Sequence, residues 1–113
     1  MTKAKSALVG RWRIVEADLW GRDFLDLRGP ATLVVGSDGH GEISFGAVQV
    51  GLDIAYNHGE IDFTWCGFDE MDEVQGSGSA ELQDDGSLII DFVYHLGDEA
   101  VLKALRDPSS AAC

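Results

Sequence analysis

The chain has 113 residues, 45% apolar and 25% charged, and its 8 Lys and Arg against 20 Asp and Glu give a formal charge of −12. That length suits one domain with a modest core, the apolar content argues against a disordered acidic tail, and the 14 glycines follow no collagen-like period. Such a charge repels phosphate backbones and anionic headgroups, which argues against nucleic acid and acidic membranes as partners and favours basic proteins or cations.

Residues 1–9 contain Lys3 and Lys5, with only Ala7, Leu8 and Val9 as an apolar run. That run is too short for a secretory signal, and no stretch approaches the roughly 20 apolar residues that span a bilayer. A flexible N-terminus and a cytoplasmic protein are the expectation. Arg11 to Ala17 reads as a first strand, with Trp12 and Ile14 on one face and Val15 on the other. Asp18 then N-caps a short predicted helix in which Trp20, Phe24 and Leu27 recur at helical spacing, ended by Gly29 and Pro30. This helix would cap one end of the fold.

Ala31 to Val35 and Glu42 to Phe45 form a hairpin around Ser37-Asp38-Gly39-His40-Gly41. Period-two alternation is clearest over residues 47–56, where Val48, Val50, Leu52, Ile54 and Tyr56 share one face. Asn57-His58-Gly59 turns the chain, and Ile61, Phe63 and Trp65 alternate with Glu60, Asp62, Thr64 and Cys66. Val74 to Gln83 and Leu88 to Leu96 flank the turn Asp84-Asp85-Gly86-Ser87, with Leu88, Ile90, Phe92, Tyr94 and Leu96 inward. Glu99 to Arg106 favours helix on propensity, yet the short Gly97-Asp98 turn suits a hairpin, so a strand is expected. Residues 107–113 have no periodicity and read as a flexible tail. Cys66 and Cys113 have neither CxxC spacing nor a partner-rich context and read as free thiols.

Eight antiparallel strands with short turns are most stably closed into an up-and-down β-barrel spanning residues 10–106, since closure removes exposed edges. Gly51, Gly76 and Gly78 inside strands mark places where a strand bends or a neighbour's bulky side chain needs room. The first strand opens with Gly10-Arg11-Trp12, and the last closes on Arg106. This layout resembles the calycin superfamily, which includes lipocalins, fatty-acid-binding proteins and avidin-like barrels. The resemblance implies that Trp12 seals one end of the barrel with Arg106 packed across it. The turn at Asp84-Asp85-Gly86-Ser87 lacks the Thr-Asp-Tyr type of lipocalin signature, and neither a signal peptide nor a disulfide pair is expected. In character the chain resembles the small cytosolic bacterial barrels of this type, whose function is open, more than a secreted carrier.

Two sites compete in the sequence. Trp12, Tyr56, Phe63, Trp65 and Tyr94, with Trp20 and Phe24 from the capping segment, would line an interior site for a small apolar or aromatic ligand. The alternative is a solid core, in which Trp65 fills the gap at Gly76 and Gly78. Asp69, Glu70, Asp72 and Glu73 form a dense acidic run at a barrel rim, suited to a basic protein partner of an inhibitor or immunity type. That run lacks the ligand spacing of an EF-hand loop, and His40, His58 and His95 form no zinc pattern, so no metal is expected. No nucleophile, phosphate or dinucleotide motif occurs, and neither an enzyme nor a cofactor is expected. Val15, Ile89 and Val93 would form a homodimer face if their strands are neighbours.

Overall fold

A computed structural model describes residues 8–18, 31–57, 59–69, 71–95 and 97–106. Eight strands follow in order: β1 (Gly10–Ala17), β2 (Thr32–Val35), β3 (His40–Phe45), β4 (Val48–Asn57), β5 (Glu60–Asp69), β6 (Asp72–Leu82), β7 (Leu88–Tyr94) and β8 (Glu99–Arg106). Each pairs antiparallel with the next, and β8 returns to β1, so the sheet closes into a barrel without a free edge. Among the described residues there is no helix. The helix expected after Asp18, with Trp20 and Phe24, lies outside them, as do the tail and Glu70.

The alternation read from sequence sets the interior. Leu33, Val35, Ile43, Phe45, Val48, Val50, Leu52, Ile61, Phe63, Trp65, Leu88, Ile90, Phe92 and Leu102 are all buried in one core cluster. In β1 a bulge between Ile14 and Glu16 resets the period, so Trp12 and Ile14 point inward and Ala17 also packs against the core. Over β8 the burial alternates, with Ala100, Leu102 and Ala104 inward. Pairing with both β7 and β1 outweighs the helix propensity of that segment.

One boundary differs from the sequence expectation. The acidic run, expected between two strands, is instead built largely from strand ends. Asp69 closes β5, Asp72 opens β6, and the two face each other across a two-residue turn. Backbone pairing continues there because ladder hydrogen bonds need no particular side chain, while Asp72 and Glu73 are exposed and Asp69 is half-buried.

The glycines of β6 are spaces for rings. Phe63 pairs with Gly78 and Trp65 with Gly76, and a Cβ at either position would come within 2.7 Å of the facing ring. Trp65 lies flat on Phe92, with centroids 4.3 Å apart and planes at 11°, and Phe45 meets Phe92 edge-on at 5.4 Å. These rings occupy the middle of the barrel, as in the solid-core alternative.

Candidate functional site at the acidic end of the barrel

Strand alternation divides the turns between two ends. The β2–β3, β4–β5 and β6–β7 turns share one end with Gly10 and Arg106, and the β3–β4, β5–β6 and β7–β8 turns share the other.

The first end is sealed. Trp12 is 1% exposed, and its Nε1 donates to the Leu8 carbonyl at 2.9 Å. The Arg106 guanidinium lies 4.1 Å from the ring centroid and donates to the Val9 carbonyl at 2.9 Å, a cation–π lid held by a backbone anchor. The Tyr56 hydroxyl accepts from the Gly39 N–H at 2.9 Å and donates to the Gly36 carbonyl. It thereby fastens the β2–β3 turn, where Gly39 takes a φ of 90°. Trp12 and Tyr56 are thus committed to closing this end, and Phe63 to filling the space at Gly78.

The opposite end gathers the other residues singled out in the sequence. Tyr94 meets Trp65 edge-on at 5.2 Å and Phe92 at 5.5 Å, so its ring rests on the core stack. Its N–H donates to the Asp98 carbonyl at 2.7 Å, its carbonyl accepts from Gly97, and the following His95 N–H donates to Gln75. This fixes the β7–β8 turn against β6. Burial pushes the Tyr94 hydroxyl above its ordinary value of 10.0, and the carboxylates of Asp69 and Asp98 push it further in the same direction. Beside it lies a cleft of about 230 Å³ lined by Glu73, Val74, Gln75, Tyr94, His95 and Asp98. A larger open trough of about 670 Å³ adjoins it on the outer face, with Gly51, Thr64, Cys66, Gly76, Ser77 and Tyr94 among its lining residues and the buried Trp65 beneath.

The tip of the β5–β6 hairpin adds apolar surface to this charge. Phe68, opposite Glu73, is 54% exposed and Met71, in the turn, 93%. Neither was singled out from sequence, although continuing the alternation of Asp62, Thr64 and Cys66 places Phe68 on the same outer face. Asp98, too, is met only through the fold, which folds the β7–β8 turn beside the β5–β6 tip.

Among the described residues the charge distribution is one-sided. Residues 29–102 contain no lysine or arginine and hold 15 of the 20 acidic residues. Arg11, Arg13, Lys103 and Arg106 lie on β1 and β8. Among the described residues no three His, Cys, Asp or Glu side chains converge as a metal site. Cys66 is a free, exposed thiol, and the His40 imidazole sits 3.5 Å from Asp53, both largely in solvent. The acidic end thus presents an aromatic and apolar surface rimmed by carboxylates. Compared with protein-family models, curated proteins and solved structures, the chain matches none.

Proposed function

We propose that the chain is a non-enzymatic binding module on a lipocalin-like barrel of calycin type, which recognises a basic protein partner at its acidic end. Support for the lipocalin-like part comes from Arg106 stacked on Trp12 at the sealed end of an eight-stranded antiparallel barrel. The observation that carries the partner reading is the coincidence of exposed Phe68 and Met71 with Asp69, Asp72 and Glu73 on one hairpin tip. Apolar anchors within a polar rim are the usual anatomy of a protein interface. The described residues of β3 to β7 carry no Lys or Arg, and their carboxylates steer a basic partner toward the tip and repel acidic ones. The account makes the barrel a rigid support and its end the working part. The test is titration with a labelled peptide carrying lysines and arginines around one apolar anchor. Binding weakens as salt rises, is lost in Phe68→Ala, and becomes weaker and less salt-sensitive in Asp69→Asn/Asp72→Asn/Glu73→Gln. Equal binding by all three proteins overturns the reading.

A second reading, a small apolar or aromatic ligand, is supported by the outer trough lined by Tyr94 and the hydroxyls of Thr64 and Ser77, with Trp65 beneath. It moves the ligand from the interior, where Trp65 and Phe92 stack, to the outer face. A stoichiometric adduct on the purified protein, lost in Trp65→Ala, distinguishes it from the first.

A further inference from the structure

On the outer face of β3 to β7 the register sets the outward residues in rows that run across the strands. Nearest the acidic end lie Ser44, Gln49, Phe68 and Glu73; two residues further toward the sealed end lie Glu42, Gly51, Cys66 and Gln75. The third row is His40, Asp53, Thr64, Ser77 and Val93. The middle row is low. Gly51 has no side chain, and a Cβ there would meet nothing within 4 Å, whereas Phe68 in the first row stands 54% exposed. The open trough follows this floor from Gly51 to His95, and a depression of about 270 Å³ lined by Glu42, Ser44, Gln49 and Gly51 continues it over β3. Together they make one groove across β3 to β7, four strand spacings or roughly 19 Å long.

From this we infer that the basic partner is held by an extended segment lying in this groove, crosswise to the strands, with basic side chains at positions i and i+4 and an apolar one at i+2. The inference rests on the proposed recognition of a basic partner and names the part of it that is bound. A closed barrel has no edge to which a further strand adds, so side chains must hold such a segment. Alternate side chains of an extended chain face one way, and i to i+4 spans roughly 13 Å. Glu42 on β3 and Glu73 on β6 stand three strands apart, about 14 Å across the sheet. Both are exposed, and no Lys or Arg among the described residues of β3 to β7 competes for them. The i+2 side chain then lies midway, above Gly51 and Cys66 and against Phe68. The amides of Gln49 and Gln75 and the hydroxyls of Thr64 and Ser77 line the groove as partners for the segment's backbone.

Fluorescence anisotropy tests this with a labelled peptide in which arginines four positions apart flank Ser-Leu-Ser, beside a permuted form with the arginines adjacent. The spaced peptide binds more tightly than the permuted one. Gly51→Gln fills the floor without a change of charge and weakens binding about tenfold, with an unchanged circular dichroism spectrum and urea midpoint. Glu42→Gln, remote from the hairpin tip, weakens it about threefold, whereas Glu81→Gln, an exposed carboxylate outside the groove, binds as the wild type does. Equal affinity for the two peptides, wild-type affinity in Gly51→Gln, or equal losses in Glu42→Gln and Glu81→Gln overturns the groove. If Phe68→Ala still abolishes binding in that case, recognition at the tip stands without the groove; if Phe68→Ala binds undiminished, the basic-partner reading itself fails.

Discussion

Trp65 and Gly76 are cross-strand partners in which the ring of one occupies the place of the missing side chain of the other. A Cβ at residue 76 would stand 2.6 Å from the Trp65 Cζ2 and overlap the Val93 carbonyl. Gly78 stands in the same relation to Phe63, with 2.7 Å to the Cζ and an overlap with the Asp91 carbonyl. Gly76→Ala and Gly78→Ala each lower stability by about 2 to 3 kcal/mol through overpacking. Gly51→Ala, whose Cβ meets nothing within 4 Å, changes little or adds roughly 0.5 kcal/mol, as expected for glycine replaced within a strand. Urea denaturation of the three variants checks the contrast.

The sealed end gives a graded series. Trp12→Ala removes a fully buried ring and costs about 3 to 5 kcal/mol. Arg106→Ala loses the cation–π contact and the bond to Val9, about 1 to 2 kcal/mol, and Arg106→Lys recovers part of it. Tyr56→Phe leaves the ring in place and removes the two bonds that hold the β2–β3 turn, about 1 to 2 kcal/mol. Thermal and chemical melts rank the three. Equal losses in Arg106→Ala and Trp12→Ala contradict the assignment of Arg106 as an exposed lid.

Most of the barrel was legible because its signals are local. Val48 to Tyr56 alternates strictly, Leu88 to Tyr94 is a short apolar run bounded by turns, and turns such as Asp84-Asp85-Gly86-Ser87 carry their own chemistry. The Trp12–Arg106 contact was legible only through the family resemblance, since 94 positions separate the two residues. The acidic run was visible as charge but not as strand ends, because solvent-facing carboxylates leave no hydrophobic period. That Tyr94 lies near Asp69 and Asp98 depends on two turns meeting at one end, a consequence of closure that no local pattern encodes.

Tyr94 links that end to pH. Its folded-state pKa is raised above the ordinary 10.0, so the neutral hydroxyl is the favoured form in the fold. The corresponding stability is present below the unfolded value and is lost as pH rises through the folded one. Tyrosinate absorbance, assigned by difference from Tyr94→Phe, titrates above 10.0 in the wild type. Asp69→Asn and Asp98→Asn each move the midpoint down, yet leave it above 10.0, because burial is the largest cause. An unmoved midpoint in both variants contradicts the placement of the two carboxylates.

Asp85 makes the opposite shift in the β6–β7 turn. Its Oδ1 accepts from the Ser87 hydroxyl at 2.6 Å and the Ser87 N–H at 2.9 Å, and these bonds hold its pKa below the ordinary 3.8. Its contribution is therefore present above the unfolded value and lost as pH falls through the folded one. Ser87→Ala raises the Asp85 midpoint toward 3.8 in a carboxyl NMR titration, without abolishing the shift, because the backbone bond remains.

The most direct measurement is native mass spectrometry of the protein purified gently from its source cells, at low and at high ionic strength, beside the Asp69→Asn/Asp72→Asn/Glu73→Gln variant. A basic protein that accompanies the wild type, leaves at high salt and is missing from the variant is the expected result. A chain that carries no protein partner at either salt, or whose partner is retained equally by the variant, contradicts recognition at the acidic end.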